Sequence, residues 1–170
     1  VEGVVQVIKV SESANSIVGI EKIIVDKNGK ISPTAEKELK IEFIGDSITC
    51  GYGVDDLNRN NHFSTRTEDN TKTYAYKTAK ALNADYSMVS ISGWGIISGY
   101  SGDGKKQGNS VIPTYYDKIG FCWNGRINNI SPQSIDWDFS EFQPDFVVVN
   151  LGTNDDSYVK SDKAKTREYI

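Results

Sequence analysis

The rhythm of apolar and polar positions changes near residue 38. Before it, Val and Ile alternate with polar residues in short runs: Val5-Gln6-Val7, Ile8-Lys9-Val10, then Ile17 through Val25. A period of two in β-branched residues predicts strands. Asp26-Lys27-Asn28-Gly29 is a turn signal, and Ile31 to Lys40, with Pro33 and alternating charges, predicts a connector. From residue 41 strands alternate with helical or loop stretches, the pattern of a parallel sheet with crossover helices. Lys40-Ile41-Glu42-Phe43-Ile44 opens the sheet. Residues 73–83 place Ala75, Ala79 and Leu82 on one helical stripe, and Tyr86 to Ile91 follows as a second strand, completing a βαβ unit. After the break at Pro144-Asp145, Phe146 to Leu151 is a continuous apolar run. It predicts a central strand covered on both faces. Residues 93–135, rich in Gly, Ser, Asn and Lys and without periodicity, predict long loops with at most a short helix, and residues 162–170 the start of a helix. There is no internal repeat and no low-complexity tract.

The 170 residues suit one domain, or one domain with part of another. A content of 38% hydrophobic and 25% charged residues describes an ordinary globular chain. The net charge of −4 argues against nucleic acid as a partner, since phosphate-backbone affinity rests on clustered Lys and Arg. No apolar run is long enough to cross a bilayer, so no membrane partner is expected, and the first residues lack the pattern of a signal peptide. Two cysteines and one histidine give no zinc spacing and no disulfide framework. Cys50 reads as a small buried apolar residue rather than a nucleophile.

Three polar clusters each follow directly on a predicted strand: Gly45-Asp46-Ser47, Ser92-Gly93 and Gly152-Thr153-Asn154-Asp155. In an open parallel sheet the carboxyl ends of the strands share one edge, where ligands bind, so the clusters converge by topology. A serine hydroxyl needs a base and donors aimed at the oxyanion it creates. Ser47, on a turn from strand to helix, can offer both hydroxyl and backbone N–H. Gly93 can offer an unobstructed N–H, and Asn154 its carboxamide.

In order, Gly45-Asp46-Ser47-Ile48-Thr49, Gly93 in Ser90-Ile91-Ser92-Gly93, and Gly152-Thr153-Asn154-Asp155 resemble the first three sequence blocks of SGNH/GDSL hydrolases. The resemblance implies a flavodoxin-like α/β/α sandwich with a parallel sheet, here partial, with Ser47 as nucleophile and Ser47, Gly93 and Asn154 as the oxyanion hole. The longer stretches from Ile41 to Gly53, Trp137-Asp138-Phe139, and Pro144-Asp145 on to Asp155 are similar to carbohydrate esterase family 2. Members of that family remove acetyl groups from xylan and related plant polysaccharides. By the same likeness, residues 1–38 are the final strands and linker of a preceding β-sandwich (jelly-roll) domain, and residues 39–170 are the hydrolase domain. The family's base histidine lies in a fourth block after the Gly-Thr-Asn-Asp block. That block is absent from residues 156–170, so the chain is expected to be truncated before it, inactive alone, and completed by a companion segment.

The remaining candidates divide as follows. His62, in a polar loop before the second block, is expected to be solvated or to pack within its loop rather than to act as the base. Asp46 is expected to bond loop backbone, and Asp155 and Asp156 to cap a helix or face water. Among the aromatic residues that suit sugar rings, Tyr100 and Trp123 are candidates for substrate contact or for loop packing, Trp94, Tyr115 and Tyr116 are further members of the set, and Trp137 is expected in the core. Lys105 and Lys106 read as solvated. The expectation is a secreted serine esterase acting on acetylated polysaccharide or oligosaccharide, without metal or organic cofactor. The alternatives are a lipase-like GDSL esterase and a non-catalytic carbohydrate-binding protein on the same scaffold.

Overall fold

Lys40–Gly45 carries side chains that need cover on both sides, and it becomes the middle strand, β1. Ile41 and Phe43 are buried on one face. On the other, Ile44 packs into a second apolar cluster, and the buried Glu42 carboxylate accepts from the Tyr116 hydroxyl at 2.6 Å. The computed structural model describes residues 3–123, 125, 129–160 and 162–170. Strand β1 turns at Asp46 into one helical turn, α1 (Ser47–Cys50), which ends at Gly51 in the left-handed region, φ 80°. Helix α2 (Tyr74–Ala81) then crosses over to β2 (Asp85–Ser90), which pairs parallel to β1. The third strand, β3 (Phe146–Asn150), pairs parallel to the other side of β1, giving the order β2-β1-β3. Helices α3 (Thr153–Val159) and α4 (Lys163–Tyr169) follow. The crossover helix and the three described strands after residue 38 thus form where the sequence predicts them, within two residues.

Two apolar clusters hold the sheet. Ala75 and Ala79 of α2, with Ala84, bury against Ile41 and Phe43. Small residues let the helix approach closely, and each large side chain removed from water contributes about 1.5–3 kcal/mol. The opposite face is covered by Trp94, Ile112 and Phe121 from the long loop, together with Ala14 and Ile91. Loop residues stand there, among the described residues, where a flavodoxin-like sandwich has helices. Within 93–135 the only regular pieces described are two single turns of 3-10 helix, Ile112–Thr114 and Pro132–Ser134. Asn124 and residues 126–128 of that stretch lie outside the described residues.

Two expectations are corrected. Strand β3 is an edge strand among the described residues, and Phe146 through Val149 are 37–62% exposed. An apolar run states that a strand needs cover. It does not state which neighbour supplies it. The stretches read as strands before residue 38 form none among residues 3–38, and Val4, Val5, Val7, Ile23 and Ile24 are exposed. Alternation specifies only half of a ladder, and an extended segment without a partner leaves its N–H and C=O groups to water. Val1 and Glu2 lie outside the described residues. Part of this segment does dock: the Val10 carbonyl accepts from Asn70 N–H at 2.9 Å, and the Ala14 carbonyl from Trp123 N–H at 3.1 Å.

Candidate active site

The strand register fixes the site's base. Gly45 pairs with Ser90 on one side and with Asn150 on the other, so all three parallel strands end at one level. The three polar clusters leave the sheet side by side. Ser47 is the half-buried first residue of α1. Asp46 before it is buried, and its carboxylate accepts from the Ile48 N–H at 3.0 Å, capping its own turn. Burial pushes the Asp46 carboxyl above its ordinary range, against the pull of that N–H, and the Asp155 charge adds to the rise.

Asn154 ties the three clusters together. Its carboxamide nitrogen donates to the Trp94 carbonyl at 2.7 Å and lies 3.4 Å from the Asp46 carboxylate. One N–H is therefore anchored on the turn after Gly93, and the other faces the residue preceding Ser47. Gly93 has φ 80°, and a Cβ there would meet nothing within 4 Å. Glycine is needed for its conformation, not for space. The Gly93 carbonyl accepts from Tyr100 N–H at 2.7 Å, closing the turn and presenting Tyr100, 65% exposed, at its rim. Trp123, 57% exposed, meets Phe121 edge-on at 4.7 Å and Trp94 at 6.2 Å. Both aromatic candidates are thus joined to the Gly93 turn. Trp94 is core, Tyr115 packs against it, and Trp137 is half-buried rather than core. His62 is exposed on its loop, and no described hydrogen bond links it to Ser47. Lys106 pairs with Glu168, so it is not merely solvated.

Two features escaped the sequence. Asp155, expected to cap or face water, is 1% exposed and accepts from the N–H groups of Ile96, Ile97 and Ser98 at 2.8–3.0 Å. Asp156 does face water. Beneath the second cluster lies a buried group formed by Glu12, Cys50 and Glu68. Glu12 Oε2 accepts from Ser92 N–H at 2.7 Å, and Glu68 Oε2 accepts from Glu12 N–H at 3.2 Å. Burial and the neighbouring Glu12 push the Glu68 carboxyl up to about 7. Burial likewise raises the Cys50 thiol well above its usual value, which makes it a poor nucleophile. The donor atoms of Glu12, Cys50 and Glu68 lie within 4.8 Å of one another. The Lys9 ammonium, bonded to the Ser11 and Glu12 carbonyls, already supplies positive charge beside them. Asn70 adds a side-chain bond to the Lys9 carbonyl at 3.1 Å. No spacing rule joins residues 38 and 56 positions apart, so this group had no sequence signal.

A serine on the first turn after the central strand, bracketed by the Gly93 turn and the Asn154 carboxamide, is the arrangement on which the family comparison falls. The profile of the GDSL-like lipase/acylhydrolase family matches residues 41–170. The chain belongs to that family. The relatives of this GDSL-like chain include a cellulase/esterase CelE of Acetivibrio thermocellus, 38% identical over 128 residues that cover 75% of this chain and 14% of that protein. An acetylxylan esterase/glucomannan deacetylase of Cellvibrio japonicus is 28% identical over 160 residues, covering 94% of this chain and 41% of that protein. The GDSL-like chain thus spans less than half the length of these relatives. Among solved structures, a family two carbohydrate esterase from Clostridium thermocellum in complex with cellohexaose superposes with TM-score 0.62 at 35% identity, over 79% of this chain and 37% of that one. An acetyl xylan esterase (Est2A) from the rumen bacterium Butyrivibrio proteoclasticus gives TM-score 0.65 at 35% identity, over 76% and 34%. The fold is the SGNH hydrolase fold with a parallel sheet, and its neighbours are family 2 carbohydrate esterases.

Proposed function

We propose that this chain carries the nucleophile half of a secreted carbohydrate esterase, one that removes O-acetyl groups from plant cell-wall polysaccharide, xylan or a related glycan. Ser47 Oγ attacks the acetyl carbonyl. The developing oxyanion is held by the N–H groups of Ser47 and Gly93 and by the carboxamide of Asn154. A histidine from a companion segment takes the serine proton and returns it to the departing sugar oxygen, and water then cleaves acetyl-Ser47 to acetate. Tyr100 and Trp123 offer aromatic faces to the sugar.

The observation that carries this reading is the bonding of Asn154 to the Trp94 carbonyl and beside Asp46, at the level where three parallel strands end in register. Those contacts gather an amide donor, a glycine turn and a serine turn whose sequence positions are far apart. The names of the relatives support acetylated glycan as substrate class.

The test is release of nitrophenol from acetyl and octanoyl esters by the chain combined with the segment that supplies its base. We expect the acetyl ester to be preferred and Ser47→Ala to lower kcat by at least about a thousandfold. Equal turnover by the Ala variant rejects the mechanism. Preference for the octanoyl ester selects a lipase-like enzyme, and glycan binding without any hydrolysis selects a binding scaffold.

A further inference from the structure

The buried carboxylate of Asp155 makes no ion pair among the described residues. Its charge is met by backbone instead. Oδ1 accepts from Ile96 at 3.0 Å, Ile97 at 2.8 Å and Ser98 at 3.0 Å, and Oδ2 accepts from Ile96 at 3.0 Å. Three consecutive N–H groups turned onto one carboxylate fix the path of that loop, because a buried charge loses much of its solvation unless such donors stay in place. Gly95 is part of the same fit. A Cβ there would come within 2.2 Å of the Ser98 carbonyl oxygen and 2.4 Å of Asp155 Oδ2. The neighbouring Asn154 reaches to the near side of the same loop, donating to the Trp94 carbonyl at 2.7 Å. Further along α3, Ser157 Oγ accepts from Ser101 N–H at 2.7 Å and donates to the Asn154 carbonyl at 2.5 Å.

We propose that Asp155 is a positioning residue for the oxyanion hole. It holds the 95–98 loop so that the Trp94 carbonyl binds one N–H of Asn154 and leaves the other directed towards the Ser47 turn. Asp155 itself touches no reacting atom. The inference rests on the site reading above and extends it to a residue that acts through two others. Without the carboxylate, the loop loses its internal donors' common acceptor, the Trp94 carbonyl moves, and the Asn154 amide rotates away from the point where charge develops.

The experiment compares Asp155→Ala with the isosteric Asp155→Asn, which retains an acceptor oxygen and serves if the Ala variant fails to fold. Amide exchange is read by NMR on the 170-residue chain, and kcat and KM for 4-nitrophenyl acetate are read per folded enzyme with the base segment present. We expect Ile96, Ile97 and Ser98 amides to exchange about a hundredfold faster in the Ala variant, with the Asn154 carboxamide resonances shifted towards free-amide positions. We expect kcat to fall about tenfold in the Asn variant and about a hundredfold in the Ala variant, with KM changed less than about threefold. Exchange unchanged in both variants overturns the proposal. Faster exchange with wild-type kcat overturns it as well, since it leaves only a structural role. Hydrolysis indifferent to Ser47→Ala overturns the site reading and the positioning role with it, whereas Ser47-dependent hydrolysis unaffected at Asp155 removes the positioning role alone.

Discussion

Glu68 is 2% exposed, and its Oε1 has no hydrogen-bond partner among the described residues. Removal from water, reinforced by the nearby Glu12 carboxylate, raises its carboxyl from the ordinary 4.5 to about 7, against the Glu12 N–H and the Lys9 charge. A carboxyl raised on folding prefers its proton in the folded state. The stability it contributes is complete below pH 4.5 and is lost as pH rises through about 7. That gap corresponds to about 3 kcal/mol. We expect urea denaturation to give the wild type about 2.5 kcal/mol less stability at pH 8 than at pH 5 relative to Glu68→Gln, since part of the gap is already lost at pH 5. Parallel curves for the two proteins would show that the carboxyl ionises normally. Glu12 also holds Ser92 N–H at 2.7 Å, so the Glu68–Glu12 contact adjoins the second cluster as well as the N-terminal segment.

At the scale of elements, the turn from β1 into α1 and out again is set by close contact. Gly51 and Gly53 both have positive φ, 80° and 64°, but their surroundings differ. A Cβ on Gly51 would lie 2.4 Å from the Asp69 carbonyl oxygen, whereas one on Gly53 meets nothing within 4 Å. Gly53→Ala should therefore cost only the conformational strain, about 1 kcal/mol, and Gly51→Ala about 3 kcal/mol, read as the difference in denaturation midpoints at equal slope. Equal costs would mean that the 67–70 loop yields freely. The turn was legible as a turn because glycines follow the polar cluster. That Gly51 is also a seat for a distant carbonyl was not, since Asp69 enters from a loop eighteen positions on. The same limit hid Asp155. An acidic residue in the first turn of a helix reads as a cap, and nothing in its neighbourhood says that it turns inward to gather three N–H groups from residues 96–98. Strand β1, helix α2 and strand β2 were legible because each carries its own period, and only three residues separate α2 from β2.

At the scale of the whole molecule, β3 is bare on both faces among the described residues. Phe146, Val147, Val148 and Val149 stand exposed beside a strand edge with no partner among the described residues. Such an edge invites pairing with another chain. We expect the chain to associate reversibly through this edge, and Val147→Lys to shift sedimentation towards monomer with thermal stability changed by less than about 1 kcal/mol. Sedimentation independent of this substitution would place the contact elsewhere. The sequence foretold that this strand wants cover, and the three-cluster edge that it helps to build, because both follow from local composition. It could not foretell the bare edge or the unpaired segment 3–38, because those depend on neighbours that composition does not name. One last consequence follows from how the rim is tied. Gly99 N–H bonds the Gln107 carbonyl at 3.1 Å, and Gln107 N–H bonds Ser98 Oγ at 2.9 Å, so the excursion from Tyr100 to Lys106 starts and finishes at a single knot. Its first two residues are pinned to the site, Tyr100 N–H on the Gly93 carbonyl and Ser101 N–H on Ser157 Oγ. A longer or shorter stretch grafted after Ser101 would redraw the border of the opening while those two bonds keep the Gly93 turn and α3 in place.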